Sequence, residues 1–486
     1  MNLETYILEF SKYVISILMI LYVLHGFEAF LIKNEKLKTG ILLRQNIIMI
    51  AFHFSCFMVI CFETQKISFL IFFVLQQVVL FAFVMLFKTL YPKAQTLLLN
   101  NMCMLLSISF VILTRLEYLK AIKQFIIASF SLVLSLFIPF LIKNIEGLRK
   151  LKWIYAITGV SLLGIVMILG QSTYGSKLSY SIAGISFQPS EFVKIIFVFF
   201  VAASLYNSKS ILEIFTSVTI AALHVIIQVI NKDLGSALIF FVVYIVMLYI
   251  ATGKFYYLLL GAFSGSIAAY IAYKAFRHVQ VRVMAWKDPW SVIDNEGYQI
   301  TQSLFGVTSG GFWGLGLYQG SPKSIPFVED DFIFSAIAEE FGIIFAICLI
   351  VLCVSCFIIL IQISLKVKDK FFKLVSLGFG ISYIFQIFLT IGGGTKFIPL
   401  TGVTLPLVSY GGSSVLATII LFAIAEGIFI FSENETGADI SDSNSEEVKL
   451  LTSKHTKKKK KYVVVDDIYE ETYENCKEDD NQKGLN

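Results

Sequence analysis

Charged residues are scarce in this chain. Asp, Glu, Lys and Arg make up 15% of its 486 residues, while hydrophobic residues make up 57%. A soluble protein of this length needs more polar surface to cover its core, so the composition excludes that class. The net charge of +5 is small and comes mainly from loops and the C-terminal tail. No nucleic-acid partner is therefore indicated.

Several catalytic and binding motifs are also missing. The sequence has no Walker loop, dinucleotide fingerprint, zinc-ligand spacing or serine–histidine pair, and its five histidines do not cluster. Cys353 and Cys356 form a C-x-x-C without a second ligand pair, inside an apolar run, which favours core packing over a metal or redox site. No small-residue cleavage site follows the apolar run from Tyr13 to Phe30, so we expect a retained helix there, not a signal peptide.

Long apolar runs fill most of the chain. By length and hydropathy they predict an all-α polytopic membrane protein with about 13 transmembrane helices. The predicted spans are 10–32, 46–62, 67–87, 97–114, 124–142, 153–170, 190–206, 211–230, 235–252, 255–275, 332–363, 373–391 and 406–431.

Two segments are too polar to lie in a bilayer. The first, 276–331, is rich in Gly, Trp, Asp and Pro, and its length and composition predict a functional, ordered loop. The second, the tail 432–486, mixes acidic, Ser/Asn and Lys stretches and is predicted to be disordered. The run from Lys457 to Lys461 either contacts anionic lipid headgroups or is simply solvated.

The positions of Lys and Arg predict the orientation of the chain. Basic residues cluster in the loops 33–44, 143–152 and 366–373 and in the tail. All of these fall on one side of a thirteen-helix arrangement, which should be cytoplasmic. The C-terminus is then cytoplasmic, and the N-terminus and the loop 276–331 lie outside. The loop with Arg115, Lys120 and Lys123 is an exception, because it carries positive charge on the outer side.

A charge within a spanning segment is costly, so such a residue is either paired or functional. Glu191 and Lys194 lie three residues apart at the start of a predicted helix, where they share a face and can pair. A purely local ion pair is an equal alternative to a functional role. Asp233 lies between two predicted helices, where capping of the second helix is the simpler explanation.

The loop 276–331 holds most of the remaining polar candidates. Arg282, Gln299, Gln302 and Ser303 offer donors for hydroxyl groups and phosphates, and its glycines would let the backbone approach a ligand closely. The adjacent acids Glu329, Asp330 and Asp331 repel one another, which favours a bound cation or a raised proton affinity in one of them. The alternative is three solvated acids at a helix N-terminus.

A dense run of Pro and Gly, 399–414, interrupts the last apolar region. Irregular backbone at membrane depth must be buried in protein or line a wet cavity. The run therefore indicates either a substrate cavity or simple re-entry of the helix into the membrane.

Taken in order, these segments resemble the SEDS family, the FtsW/RodA/SpoVE-type peptidoglycan glycosyltransferases. The matching motifs are FQPSE-x-x-K at 187–194, DLG at 233–235, DPW with GYQ-x-x-QS at 288–303, GG-x-x-G-x-G at 310–316, DFIF-x-x-x-AEE-x-G at 331–342 and TGVTLPLVSYGGSS at 401–414. The resemblance implies a ten-helix core over 97–431, with three extra helices in 1–96. It also places the family's essential aspartate at Asp331, and Glu191 and Lys194 in a central cavity. Lys177 stands where the family has arginine, and Asn231 and Lys232 depart from the usual QPDLG.

The function that the resemblance implies is polymerisation of lipid II, with Asp331 as general base. The substrate contacts would come from Glu191, Lys194, Asp233, Arg282, Gln299, Gln302, Ser303, Lys396 and Ser409. Arg282, Lys194 and Lys396, or a Mg²⁺ or Mn²⁺ ion on Asp330 and Asp331, would stabilise the leaving pyrophosphate. The resemblance further implies the bacterial cytoplasmic membrane and a class B penicillin-binding transpeptidase as partner.

Two other functions remain open at this point. Charged residues and broken helices within the membrane also suit a transporter that flips lipid-linked sugars, and a non-catalytic scaffold for a transpeptidase is a third possibility. A role in division, elongation or sporulation is not distinguished.

Overall fold

The chain is a multi-pass helical membrane protein. The computed structural model describes residues 3–144, 147–173, 176–182, 185–208 and 210–433. Its α-helices are α1 Leu3–Leu31, α2 Glu35–Thr64, α3 Ser68–Leu90, α4 Thr96–Leu116, α5 Tyr118–Ser135, α6 Ile138–Asn144, α7 Lys152–Leu169, α8 Pro189–Leu205, α9 Ile211–Ile230, α10 Leu234–Thr252, α11 Tyr256–Ala275, α12 Arg277–Lys287, α13 Tyr298–Ser309, α14 Ile333–Lys366, α15 Lys370–Gly394 and α16 Gly412–Glu433. The compact unit is Met1–Ile430, and the predicted disordered tail lies outside the described residues from 434 onward.

The predicted spans correspond to these helices, with one qualification. Among the described residues, 11 spans are long and apolar enough to cross a membrane, α5 and α6 together forming one of them. The predicted spans at 153–170 and 190–206 are helices α7 and α8, of 18 and 17 residues. Since a bilayer core needs about 20 helical residues, the count of 13 stays a prediction.

A small β-sheet joins α7 to α8. Its strands β1 Gln171–Thr173, β2 Ser176–Ile182 and β3 Ile185–Phe187 pair antiparallel in the order β1-β2-β3. The alternation of Leu178, Tyr180 and Ile182 with polar residues is a period-two signal for a strand. The departure from the family pattern at Lys177 lies in β2.

The segment 276–331 is more regular than the loop predicted from its polarity. It contains α12 and α13, of 11 and 12 residues. The glycine-rich stretch that follows α13 packs against the first turns of α14. An added Cβ at Gly310 would lie 2.0 Å from the carbonyl oxygen of Ala338, and one at Gly314 would lie 2.2 Å from that of Glu340. Gly310 and Gly314 therefore admit another backbone, and a close approach of the loop's other glycines to a ligand stays a prediction.

The three N-terminal helices form a layer against the rest of the bundle. Almost every residue of α4 is buried. The Tyr22 hydroxyl donates to Asn101 Oδ1 at 3.3 Å, and the rings of Phe52 and Phe345 stack at 5.7 Å. Tyr13 packs edge-on against Trp313 at 5.4 Å. The layer thus reaches both α4 and the glycine-rich stretch before α14.

Candidate active site

Residues from several of the sequence motifs line one cavity of about 980 Å³. That volume is at the upper end for a small-molecule site. Residues of α5, α12 and α13, the turn before α14, and the irregular run before α16 line it. Its charged and amide lining residues are Lys123, Gln188, Lys232, Asp233, Arg282, Asn295, Glu296, Gln299, Asp330 and Asp331. The Pro/Gly run contributes Thr401 and Gly402, among others, to this lining. Of its two explanations, a cavity and simple re-entry of the helix into the membrane, the run therefore fits the cavity.

The three adjacent acids form a tight turn, which we call the acid turn (Glu329–Asp331). The backbone N–H groups of Asp330 and Asp331 both donate to the carbonyl of Phe327, at 3.1 Å. From the other side, Ser409 Oγ donates to the carbonyl of Asp330 at 2.5 Å, and the backbone N–H of Tyr410 donates to that of Glu329 at 2.8 Å. Hydrogen bonds on two sides therefore fix the backbone of the acid turn, and this backbone determines where its carboxylates lie.

The acids of the turn differ in proton affinity. Burial raises the pKa of Asp331 to about 6, although the nearby Arg282 opposes the rise. Burial also raises the pKa of Asp330 to about 7, against the charge of Lys120 and with the neighbouring acids adding to the rise. For Glu329, burial alone would raise the pKa, but its hydrogen bond and ion pair with Lys120 outweigh burial and lower it. Two of the three acids can therefore take up protons near neutral pH.

Arg282 and Asp331 meet across a single glycine. Arg282 extends from α12 and donates from Nη1 to the carbonyl of Thr401 at 3.1 Å. An added Cβ at Gly402 would lie 3.6 Å from Arg282 Nη2 and 3.7 Å from Asp331 Oδ2. Gly402 also has φ of +73°, which favours glycine. The backbone here places a guanidinium and a carboxylate on one patch of the cavity wall.

Asp233 combines two roles. Its side chain caps α10 by accepting from the backbone N–H of Ser236 at 3.0 Å, as the sequence predicts, and it also lines the cavity. Burial raises the pKa of this carboxyl. Two residues on, Gly235 makes room for the run before α16, because an added Cβ would lie 2.1 Å from Val403 Cγ2.

The motifs and the fold match one known protein family. The family model of FtsW/RodA/SpoVE cell cycle proteins matches residues 89–434. The chain belongs to this family. Helices α1 and α2 and nearly all of α3 precede the matched residues.

Curated relatives carry two kinds of name. The peptidoglycan glycosyltransferase RodA of Mycobacterium leprae is 34% identical over 317 residues, which is 61% of this chain and 66% of that protein. The probable peptidoglycan glycosyltransferase FtsW of Aliivibrio salmonicida is 29% identical over 366 residues, 72% of this chain and 90% of that protein. The chain thus spans just under two thirds of the length of the mycobacterial relative.

Solved structures share the fold of this FtsW/RodA/SpoVE member. A chain from a study of the structural coordination of polymerization and crosslinking by a peptidoglycan synthase complex matches with a TM-score of 0.60 at 24% identity, covering 69% of this chain and 97% of that one. The rod shape determining protein RodA of Thermus thermophilus matches with a TM-score of 0.50 at 20% identity, covering 69% and 96%.

The buried charge pair of this family member lies outside the cavity wall. Glu191 and Lys194 form an ion pair at 2.8 Å, and they are 4% and 7% exposed. Gln188, just before α8, lines the cavity, and the pair lies further along the helix. Neither residue is among those that line this cavity, and a contact of either one with substrate stays a prediction.

Four other predicted contact residues are not among the residues that line the cavity. Ser303 faces α14 and α15, where its Oγ donates to the carbonyl of Gly394 at 2.7 Å. Ser409 is occupied by the acid turn. The backbone carbonyl of Lys396 accepts from Trp286 Nε1 at 3.2 Å, and neither the side chain of Lys396 nor that of Gln302 is part of the lining. Asp331, Asp330, Asp233, Arg282 and Gln299 do line the cavity.

Two lysines that sequence reasoning left out line the cavity, namely Lys123 and Lys232. The signal for Lys123 was its place in the basic loop that broke the orientation rule. The structure accounts for that whole loop. Arg115 pairs with Glu340 at 2.8 Å, Lys120 pairs with Glu329, and Lys123 faces the cavity.

Asp330 and Asp331 were also predicted to bind a divalent cation. Within the described ranges, no three His, Cys, Asp or Glu side chains converge as a metal site. Mg²⁺ is commonly held by one or two carboxylates together with substrate phosphates and water. Two acids on one cavity wall fit that donor set, and they would hold the ion only together with a phosphorylated ligand.

Proposed function

We propose that this protein is a peptidoglycan glycosyltransferase that polymerises lipid II, with Asp331 as the general base. The observation that carries the proposal is the position of Asp331. Its carboxyl lies on the wall of a cavity of about 980 Å³, beside Arg282. Its pKa is raised to about 6 by burial. A carboxylate with that proton affinity is a better base toward a sugar hydroxyl than an ordinary Asp, with a pKa of about 3.9.

The reaction requires one proton transfer and one substitution. The acceptor hydroxyl gives its proton to Asp331 as its oxygen bonds to the anomeric carbon of the growing glycan. The bond from that carbon to the pyrophosphate oxygen breaks, and the lipid pyrophosphate leaves with the electron pair. We expect inversion, from an α-linked lipid to a β-linked glycan. General-base assistance of this kind contributes roughly 10²–10⁴-fold to the rate.

The leaving pyrophosphate needs positive charge near it. Arg282, Lys123 and Lys232 line the same cavity and replace Lys194 and Lys396 in that role. Arg suits bidentate contacts to phosphate, while Lys acts as a point charge. A Mg²⁺ or Mn²⁺ ion on Asp330 and Asp331, if bound with the substrate, would neutralise further phosphate charge.

The proposed setting is the bacterial cytoplasmic membrane, with the cavity on its outer side and the C-terminus in the cytoplasm. The basic loops 33–44, 143–152 and 366–373 support this orientation. The proposed partner is a class B penicillin-binding transpeptidase. A structural neighbour belongs to a peptidoglycan synthase complex that coordinates polymerization and crosslinking, which supports that choice.

The deciding experiment is polymerisation of lipid II by the purified protein in detergent, with the Asp331→Asn variant beside it. Asn keeps the shape of the side chain and cannot take the proton, so we expect a rate loss of roughly 10²–10⁴-fold. Asp294→Asn is the matched control, because Asp294 is an exposed acid of the same connection and does not line the cavity. An EDTA arm tests the cation.

The rival functions give different results in the same assay. A flippase would not polymerise in detergent and would move lipid II only across a sealed bilayer. A scaffold would be inactive both alone and with its transpeptidase. Near wild-type polymerisation by Asp331→Asn would refute the proposed mechanism.

A further inference from the structure

The run before α16 lies along one face of α15. We call Thr401–Leu405 the wall segment, since Thr401, Gly402 and Thr404 line the cavity. An added Cβ at Gly393 would lie 3.7 Å from the backbone nitrogen of Thr401. One turn earlier, Thr390 Oγ1 donates to the carbonyl of Val403 at 2.8 Å. One turn earlier again, Gln386 Nε2 donates to the carbonyl of Thr404 at 3.0 Å.

Gln386 is bonded at both ends of its amide. Its Oε1 accepts from Lys194 Nζ at 2.5 Å, and Lys194 in turn pairs with Glu191 at 2.8 Å. All three side chains are buried. Because an ammonium only donates and a carbonyl oxygen only accepts, these partners fix which end of the amide points where. The buried charge pair is thereby connected to the wall segment through one side chain.

The wall segment holds the groups assigned to the reaction. The carbonyl of Thr401 accepts from Arg282, and Gly402 lies against both Arg282 and Asp331. A displacement of this backbone therefore moves the guanidinium relative to the carboxylate. Misplacement of reacting groups by about 1 Å can cost roughly 100-fold in rate.

We propose that Gln386 is a positioning residue. Its amide, held by the buried Glu191–Lys194 pair, fixes the wall segment. The wall segment in turn fixes the position of Arg282 relative to Asp331. This inference rests on the proposed function. It assigns the pair a role that needs no contact with substrate, in agreement with its place behind the cavity wall. Thr390 is the second contact of the same kind.

The test compares three variants in the lipid II assay. Gln386→Met removes both amide bonds, and Gln386→Glu keeps the acceptor for Lys194 but loses the donor to Thr404. Thr390→Val removes the bond to Val403, together with the contact of the same hydroxyl to the carbonyl of Gln386 at 3.0 Å. We expect kcat to fall about 10- to 100-fold in both Gln386 variants and about fivefold in Thr390→Val, with KM for lipid II within about threefold of wild type. Gln76→Met is the control, since Gln76 is an equally buried amide in α3.

The outcomes separate the two proposals. If the wild-type protein does not polymerise lipid II, the proposed function itself fails. If it does, and folded Gln386→Met keeps the wild-type kcat, the positioning role is refuted. Full activity in Gln386→Glu would likewise refute it, because the bond to Thr404 would then be dispensable. If Gln386→Met cannot be purified in a folded state, wild-type kcat in Thr390→Val overturns the proposal.

Discussion

This protein has two sets of charged residues that contain similar residue types but differ in whether their charges are paired. In the buried set, Arg115 pairs with Glu340 and Lys194 pairs with Glu191, both at 2.8 Å. In the cavity set, Arg282 and Asp331 face each other, yet no ion pair within 4.0 Å joins them in the part of the chain that the structure describes. In the buried set, each charge is paired with another charge of the protein. In the cavity set, the charges remain available to bind a ligand.

The difference has a physical cause. A charge buried in protein must be matched by a partner, and the matched pair then fixes the elements that carry it. A charge on a cavity wall is partly desolvated without being fully matched, so its proton affinity shifts and it can still bind or exchange a proton. Substitutions in the buried set should therefore lower the stability of the protein, whereas substitutions in the cavity set should lower its catalytic rate.

The largest effect on stability is expected for Arg115→Met. This change leaves Glu340 buried without its partner, and breaking such a pair typically costs about 3–5 kcal/mol. Arg149→Met is the control, because Arg149 and Asp369 form a more exposed pair at 3.5 Å, and such pairs contribute about 0–1 kcal/mol. Thermal unfolding in detergent measures both. Equal losses in the two variants would contradict the distinction.

The corresponding change in the cavity set is Arg282→Met. It removes the donor to Thr401 and the only arginine of the described cavity lining. We expect kcat/KM for lipid II to fall about 100-fold, since a charged contact to phosphate or carboxylate contributes about 2–5 kcal/mol. The melting temperature should change little. Arg277→Met, on the exposed face of the same helix, serves as control, and a matching activity loss there would exclude a specific role for Arg282.

The sequence alone could identify the long apolar helices and the cavity acids. Apolar runs determine where a chain spans a bilayer, and the acids Asp330 and Asp331 stand where a polar connection meets α14. It could not tell which side of a helix faces the cavity. Ser303 and Gln299 lie on the same short helix, yet only Gln299 lines the cavity. That choice depends on how α13 packs against α14 and α15, which no local pattern contains.

The same limit applies to Glu191 and Lys194. A motif shows that a pair of charges belongs together, but its depth relative to a cavity depends on the neighbouring helices. Gln386, which links the pair to the wall segment, is 192 residues from Lys194 and carries no local signal. Helices α12 and α13 were missed because they are short and polar. The orientation exception at Lys120 and Lys123 was informative, since its charges serve the acid turn and the cavity.

The raised pKa of Asp331 predicts how the catalytic rate depends on pH. The pKa of Asp331 is raised to about 6, so the base is lost as pH falls through that value and is fully present well above it. Its neighbour Asp330, with a pKa of about 7, titrates together with it. We expect kcat to fall about tenfold per pH unit on the acid side, with an apparent midpoint between about 6 and 7. Removing the neighbouring carboxyl with Asp330→Asn should bring the midpoint down to about 6, the pKa of Asp331 set by burial and Arg282.

Rates measured from pH 4 to 9, with folding monitored at each pH, test this profile. Arg282, Lys120 and Glu329 remain in place in the Asp330 variant, so a shift reports the neighbouring carboxylate. A midpoint near 4, the value of an ordinary Asp, would show that burial does not raise the proton affinity of Asp331.

The smallest effect is expected for Lys123→Ala. Lys123 lines the cavity and has no acidic partner within 4.0 Å among the residues described. Its side chain is exposed, so its attraction to a phosphate is screened by salt. We expect KM for lipid II to rise about five- to tenfold at low salt, with kcat nearly unchanged, and the difference to shrink as salt is added. Lys254→Ala is the control, because Lys254 is an exposed lysine outside the cavity lining. A fall in kcat without a change in KM would instead move Lys123 from substrate binding into the chemical step.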